Sequence, residues 1–504
     1  MLSVMFEKIL VANRGEIACR VIRTCRKLGV KTAVVYSEAD RNCLHIKFAD
    51  ESYFIGASEP EKSYLNIEKV IEVAKKCGAE AIHPGYGFLA ERADFAKACE
   101  ESGIKFIGPK SRSMEILENK VAARKIMRKA GIAVIPGSEE PINSLEEAKE
   151  LAEELSFPVL VKAVYGGGGR GLRIANNQEE LEKAFEIASM EAKLAFEKPE
   201  IYIEKYISPA RHVEFQILAD EYGNVIHLGE RECSVQRRYQ KLLEECPSPA
   251  LNEELRGKMG MAAVKVAKTA GYTNAGTIEF LLDKEGNFYF LEVNKRVQVE
   301  HLVTELVTGI DIVEEQIRIA AGEKLRYRQE DIKLRGWAIN CRINCEDPAR
   351  DFSPHPGMVL EHKIPKIRNL RVDTHLYKGY EIPFYYDSLI AKVAVWAETR
   401  EKAIEKMKQA LKQYIIKGVP TTIPFHLEIL NDPNFVSGNY DTNFVERRER
   451  LKEIAAVSTA LATYIGSHLE LTLPMRKWKE RSGWVAYGRK ELSRKPIRLE
   501  WLKP

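Results

Sequence analysis

The chain opens with a short apolar run over residues 6–11. It breaks at Asn13-Arg14-Gly15 and then continues with apolar residues at helical spacing over 16–28. The change of period recurs: 30–36 and 79–82 read as strands, 64–77 and 92–102 as helices. Period two alternating with period 3.6 predicts a parallel sheet with helices on both faces. Ligands of such sheets gather beyond the carboxyl ends of the strands. Arg14-Gly15 and Pro84-Gly85-Tyr86-Gly87 fall there.

Further on, 119–131 reads as a helix, and an apolar strand over 157–164 runs into Gly166-Gly167-Gly168-Gly169-Arg170-Gly171. A helix follows over 181–196, and 201–206, 213–219 and 225–228 read as antiparallel strands. The pattern predicts a small α+β lobe, about 135–205, inserted before a larger sheet domain. A helix over 253–270 precedes a hairpin of 277–282 with 288–293, and 311–321 is helical. From 335 to 395 the pattern turns strand-rich, with Pro348, Pro354, Pro356 and Pro383 at turns. A helix over 398–414 follows, and the body closes near 448. Residues 451–464 read as a helix in an appended segment.

Composition narrows the function classes. Over 504 residues the formal net charge is +4, which argues against a nucleic-acid binder using its whole surface. Hydrophobic residues are 45% and charged residues 30%, so the chain has ample material for several cores. Nine Cys without a dense framework read as reduced thiols of a soluble, cytoplasmic protein. No stretch reaches the roughly 20 apolar residues of a membrane span. The last 54 residues differ from the rest: they carry 11 Lys/Arg against 5 Asp/Glu, and three of the five Trp. Such a segment suits covering the body of the chain or docking a partner.

Three constellations carry candidate chemistry. The Gly166–Gly169 run leaves backbone amides uncovered beside Lys162, as a phosphate cradle requires, although a plain surface hairpin has the same composition. It is neither a P-loop nor a dinucleotide fingerprint, because no Gly-Lys-Ser/Thr follows and it does not open a helix in a βαβ unit. On the hairpin, Glu279 and Glu292, with Asn294 two residues on, form an oxygen-donor set suited to a divalent cation. If the next segment is extended, Arg296, Gln298 and Glu300 share a face. A guanidinium, an amide and a carboxylate so placed suit a small planar anion and a base set against it. The cluster Cys233 to Lys241 adds cations or is a solvated basic turn, and His212 is a core-edge histidine or a participant.

In this order these motifs resemble the biotin carboxylase family of ATP-grasp enzymes. The resemblance covers about 5–448 and rests on Ala12-Asn13-Arg14-Gly15-Glu16, His83 through Leu89, Lys162 with the Gly run, Arg211-His212-Val213-Glu214, Cys233 through Arg238, Glu292-Val293-Asn294, Arg296 through His301, Cys341 through Pro348, and Tyr386 through Lys392. It implies an α/β and α+β multidomain fold. The expected domains are an N-terminal nucleotide-fold-like domain (1–114), an ATP-grasp domain (115–334, mobile lid about 134–205), a C-terminal biotin carboxylase domain (335–448) and the basic tail (449–504).

The implied reaction is ATP-dependent carboxylation of biotin by bicarbonate through carboxyphosphate, with Mg²⁺ or Mn²⁺. Lys120, Lys162 and Gly166–Gly169 are expected at the ATP phosphates, Glu204, Lys205 and Ile207 at adenine, and His212 and Gln236 on the nucleotide. Glu279, Glu292 and Asn294 are expected at the metals. Lys241, Arg296, Gln298 and the Val299 backbone would hold bicarbonate, Glu300 would be the base, and Arg342 would stabilise the enolate-like oxygen of biotin. Tyr239 stands where many members have His, and Lys295 where Thr, Pro or Ala is usual. No biotinylation motif is present, so biotin is expected on a separate carrier protein or a biotinylated carboxyltransferase chain. The implied assembly is a homodimer of this chain with those partners. Pyruvate is the first choice of acceptor, ahead of acetyl-CoA, propionyl-CoA and 2-oxoglutarate.

Overall fold

Five strands, Lys8–Val11, Lys31–Ser37, Glu51–Gly56, Ala81–His83 and Lys105–Phe106, form a wholly parallel sheet in the order third, second, first, fourth, fifth. The computed structural model describes residues 5–163, 172–196, 200–451, 453–454 and 458. Residues to Glu446 form one unit and those from Arg447 another. Both faces of the parallel sheet are buried. Ile9, Val11 and Val34 pack on the helices Gly15–Lys27 and Ile312–Ala320, while Leu10, Ala12, Val35 and Ile82 pack on Ile67–Cys77 and Ala93–Glu101. This is why the strands read as continuous apolar runs.

The loops at the carboxyl ends of the first and fourth strands are tied together. Asn13 Nδ2 donates to the carbonyls of Pro84 (2.7 Å) and Tyr86 (2.8 Å). Gly85 allows this approach: its φ is +64°, and a Cβ there would come 2.9 Å from Asn13 Nδ2.

The inserted lobe has its own core. Arg173–Ala175, Val159–Ala163 and Ile201–Lys205 form a three-stranded antiparallel sheet in that order, covered by Leu145–Leu155 and Gln178–Phe196. The strand Ile201–Lys205 therefore pairs within the lobe expected over about 135–205, while 213–219 and 225–228 join the larger sheet. Periodicity shows that a segment is a strand but does not name its partner. The Lys205 amide bonds the Pro136 carbonyl and the Tyr206 amide the Pro158 carbonyl, fastening the strand end to the lobe.

Eight antiparallel strands form the large sheet. In order they are Phe288–Asn294, Asn274–Asp283, Ala210–Ala219, Val225–Arg237, Gln240–Cys246, Trp337–Asn344, Leu389–Ala397 and Leu370–Thr374. One ladder thus crosses the composition change near 335, with Leu243 opposite Cys341 and Glu245 opposite Ile339. The strand Val225–Arg237 is far longer than its apolar part, because the charged run Glu230-Arg231-Glu232 continues it with its side chains buried. The nine Cys are all buried free thiols. Among the described residues no helix is long and apolar enough to cross a membrane. Gly166–Gly169 and nearly all of the tail lie outside the described residues.

Candidate active site

Sheet register builds the centre of the site. Glu279 lies directly opposite Glu292 on one side and Glu214 on the other. Directly opposed residues of an antiparallel ladder share a face, so three carboxylates stand abreast. Lys241, two strands from Glu214, answers this charge. Its Nζ lies 2.5 Å from Glu214 Oε2, 2.8 Å from Glu279 Oε1 and 2.8 Å from Glu300 Oε1. Burial alone would discharge this ammonium, but the three carboxylates hold its pKa well above the usual lysine range.

Glu279 accepts further hydrogen bonds from Asn294 Nδ2 (2.7 Å) and Gln298 Nε2 (3.3 Å), and His212 Nε2 lies 2.9 Å from its other oxygen. Burial pushes its pKa up; Lys241 and His212 outweigh this and leave the carboxyl well below its ordinary range. Glu214 goes the other way. Burial, with Glu300 and Glu279 nearby, raises it despite Arg231 and Lys241. Arg231 is fully buried beneath it and also donates to Gln216 (2.8 Å), Thr277 (2.9 Å) and Thr304 (3.0 Å).

Glu300 occupies the N-cap position of the helix His301–Thr308 and is fully buried. One oxygen faces Lys241, and the other accepts from Arg342 Nη2 at 3.0 Å. Arg342 Nε donates in turn to Glu244 (2.5 Å), which also accepts from Asn340 (2.7 Å). Burial would raise the Glu300 pKa, but Lys241, Arg342 and Arg231 together depress it, so the group is ionised at neutral pH. Lys241 and Arg342 themselves line the cavity in front of it.

The run after Asn294 is a loop that turns into a helix at Val299-Glu300, not an extended strand. Arg296, Gln298 and Glu300 are nonetheless brought to one place. Arg296 Nη1 donates to Gln298 Oε1 (2.7 Å), Nη2 to Asn294 Oδ1 (3.2 Å) and Nε to Glu91 Oε2 (2.9 Å). The other Glu91 oxygen accepts from the Lys295 amide at 3.0 Å. The Lys295 side chain runs away to the Met114 carbonyl, 3.5 Å off, which removes it from this cluster.

At the lobe end, Lys162 and Glu204 lie on neighbouring strands and form a buried ion pair, with Arg124 on the same carboxylate. Lys205 Nζ turns to the carbonyls of Ser156 (2.9 Å) and Phe157 (3.2 Å). One cavity of about 1640 Å³ joins the two ends. Lys162, Glu204, Lys205, Ile207, His212, Gln236, Lys241, Glu279, Glu292, Asn294, Arg296, Gln298, Val299 and Arg342 all line it. Tyr239, at a hairpin tip where Arg238 and Tyr239 have φ of +48° and +63°, lines it too. Lys120 opens the helix Lys120–Lys129; its side chain lies outside what is described.

Sequence reasoning gave no role to Glu91, Arg124, Glu214, Arg231 or Glu244. The available signal was charge inside otherwise apolar strands, as at Glu230-Arg231-Glu232 and Glu244-Glu245, since a charge is rarely buried unless it is paired.

Three family descriptions match in succession: biotin carboxylase, N-terminal domain, over residues 5–114; carbamoyl-phosphate synthase L chain, ATP binding domain, over 119–328; and biotin carboxylase C-terminal domain, over 340–447. The chain is similar to biotin carboxylase 1 of Bacillus subtilis, with 53% identity over 443 residues, covering 88% of this chain and 98% of the relative. It is also similar to a pyruvate carboxylase subunit of Methanothermobacter thermautotrophicus, with 51% identity over 489 residues, covering 92% of this chain and 99% of that one. Among solved structures it resembles the biotin carboxylase domain dimer of Hydrogenobacter thermophilus 2-oxoglutarate carboxylase, in complex with MgADP, ADP and bicarbonate. The TM-score is 0.87 at 52% identity, covering 88% of this chain and 98% of the other. With matching models over most of its length and full-length relatives at about half identity, the chain belongs to the biotin carboxylase family, the subunits that carboxylate biotin in biotin-dependent carboxylases.

Proposed function

We propose that this chain is the biotin carboxylase subunit of a multisubunit pyruvate carboxylase. It would use ATP and bicarbonate to carboxylate biotin borne by a separate carrier, and would work as a homodimer. The observation that carries the chemistry is the buried, ionised Glu300 held between Lys241 and Arg342.

In this reading Lys241, Arg296, Gln298 and the Val299 backbone hold bicarbonate. As the anion draws on the hydrogen bonds of Lys241 and Arg342, Glu300 loses stabilisation of its charged form and becomes a stronger base. It takes the bicarbonate proton. The bicarbonate oxygen then forms a bond to the γ-phosphorus as the bond to ADP breaks, giving carboxyphosphate. Carboxyphosphate then breaks its C–O bond to leave CO₂ and a phosphate; the phosphate accepts the biotin N1 proton, Arg342 stabilises the enolate-like oxygen, and N1 forms its bond to the CO₂ carbon. Lys120, Lys162 and the Gly166–Gly169 loop attend the phosphates, Glu204, Lys205 and Ile207 border adenine, and His212 and Gln236 help hold the nucleotide. Closure of the lobe keeps water from the intermediate.

The donor set fits a divalent cation. Glu279 is held ionised, Glu292 lies directly across the ladder, and Asn294 is hydrogen-bonded alongside, an oxygen-rich arrangement of the kind hard cations take. Mg²⁺ or Mn²⁺ bound there offsets charge on the transferring phosphoryl group.

Bicarbonate-dependent ATP cleavage stimulated by free biotin tests the half-reaction. Its absence with a verified carrier present would end the proposal. Pyruvate as acceptor rests on the similarity to the Methanothermobacter pyruvate carboxylase chain; the similarity to the 2-oxoglutarate enzyme favours that acceptor as the second reading. Mass spectrometry of the chain's partners in its native cells separates them: a biotinylated chain with a pyruvate-type carboxyltransferase supports the first, and a different transferase overturns it.

A further inference from the structure

Every group of the proposed bicarbonate site stands on the short loop that enters the helix His301–Thr308, except Lys241 and Arg342. That loop has no strand ladder to hold it. Glu91 holds its start at Lys295 and Arg296, and the next residue, His301, anchors its end. His301 is fully buried, and its Nδ1 lies 2.7 Å from the Gln298 carbonyl, which also accepts the His301 amide at 3.3 Å. A carbonyl only accepts, so Nδ1 carries the proton and Nε2 is a bare lone pair. Nε2 has no hydrogen-bond partner among the described residues. Its nearest carboxylate, Glu305 Oε2 at 4.0 Å, is engaged by Arg371 at 2.6 Å.

The far side of the ring fixes this state. Lys392 stands opposite Arg342 on the neighbouring strand and is fully buried, 3.0 Å from Glu16. Burial, together with Lys392, Arg20 and Arg371, opposes a positive charge on the imidazole and outweighs the carboxylates of Asp373 and Glu305 on the other side of the balance. The ring stays neutral, with one tautomer.

We infer that His301 is a positioning residue of the bicarbonate site: its Nδ1–H, bonded to the Gln298 carbonyl, locks the turn that presents the Gln298 amide, the Val299 backbone and the Glu300 carboxylate to the anion. This inference rests on the reading of the site given above. The role is confined to the anion half of the cavity, because the nucleotide half is built from the lobe and from Ile207, His212 and Gln236, none of which His301 touches in the contacts described.

Three substitutions test it. Asparagine sets a carboxamide nitrogen near the place of Nδ1; glutamine sets it near that of Nε2; leucine has no donor. Loss of one buried hydrogen bond to a binding turn weakens the anion about tenfold. His301→Leu and His301→Gln are therefore expected to raise the KM for bicarbonate about tenfold, with the KM for ATP moving by less than about twofold, whereas His301→Asn stays within about threefold of the parent on both. If glutamine serves as well as asparagine, or leucine leaves the bicarbonate KM unchanged, the role is refuted. Should the leucine variant not fold, the asparagine–glutamine comparison decides alone. Nitrogen-15 NMR of the His-labelled parent gives a readout independent of turnover. A Nδ1–H tautomer is expected, and a Nε2–H tautomer overturns the inference even in a protein that cleaves no ATP, an outcome that by itself would refute only the proposed function.

Discussion

Lys241 Nζ lies 2.8 Å from the buried Glu300 carboxylate and equally close to Glu279, so one ammonium bridges the proposed base and the proposed metal-binding edge of the site. Glu300→Gln removes the negative charge but keeps the shape. The expected result is a loss of bicarbonate-dependent ATP cleavage of about 10²-fold or more, the usual contribution of a positioned base. It also leaves Lys241 and Arg342 short of one counter-charge, for which a stability cost of about 3 kcal/mol is reasonable. ATP cleavage with and without bicarbonate, read beside nucleotide binding and a melting curve, separates the two effects. Parental turnover in a folded variant would remove Glu300 from the role of base.

Glu91 offers a second test, because it belongs to a different domain from the guanidinium it steers. Its carboxylate holds Arg296 Nε at 2.9 Å and the Lys295 amide at 3.0 Å. Its pKa is pushed up by burial and drawn down further by Arg296, so it is charged. Glu91→Gln weakens a charge-assisted bond worth roughly 1.5–3 kcal/mol and lets the guanidinium swing. The bicarbonate KM should rise about tenfold, with kcat changing less, in steady-state assays at saturating ATP. An unchanged KM would mean that Gln298 and Asn294 suffice to orient Arg296.

These two carboxylates also show what the sequence carried. The pairing of Glu279 with Glu292 was legible, because a hairpin fixes register and residues two apart share a face. The parallel sheet was legible for the same reason, since its periods are local. Glu91 was not: it meets Arg296 across 205 residues of chain, and nothing in the spacing of either segment marks the other. Glu244 and Arg342, 98 residues apart, meet only because strands on either side of the composition change near 335 pair directly. The alternation of polar and apolar residues over 294–300 also fitted an extended strand. In the fold Glu300 instead stands at a helix N-cap, where its backbone conformation is φ −83°, ψ 8°.

Glu16, in the first turn of the helix Gly15–Lys27, gives a pH test. Burial raises its pKa from 4.5 to about 7, and Lys392, 3.0 Å away, offsets only part of this. Between those two pH values the folded chain keeps a proton that the unfolded chain has released. The unfolded state then binds fewer protons, so this group's contribution to stability falls as pH rises, by ~3 kcal/mol across the window. Glu16→Gln abolishes that fall. In urea unfolding at pH 5 and pH 7.5, the variant should gain on the parent at the higher pH by that order. A gap between parent and variant that does not change with pH would show that Glu16 is ionised in the folded state throughout.

The proposed metal edge can be tested apart from the proposed base. Glu279 is held ionised by donors before any cation arrives: His212 on one oxygen, and Lys241, Asn294 and Gln298 on the other. Such donors fix the orientation of a ligand and keep its charge in place, and disturbing them commonly costs 10- to 100-fold in metal affinity. Glu279→Gln removes the charge itself, so the Mg²⁺ concentration for half-maximal ATP cleavage should rise about tenfold or more at fixed nucleotide. The same change frees Lys241 from one of its three carboxylates and lets it lean on Glu300 and Glu214, which depresses Glu300 further and slows the chemical step even at saturating Mg²⁺. Glu292→Gln should show the first effect without the second, since Lys241 bonds to Glu214, Glu279 and Glu300 in this site. Mg²⁺ titrations of both variants, each followed to saturation, resolve the two contributions. If neither variant shifts the Mg²⁺ midpoint, the paired carboxylates do not hold the cation, and Glu279 serves to balance Lys241.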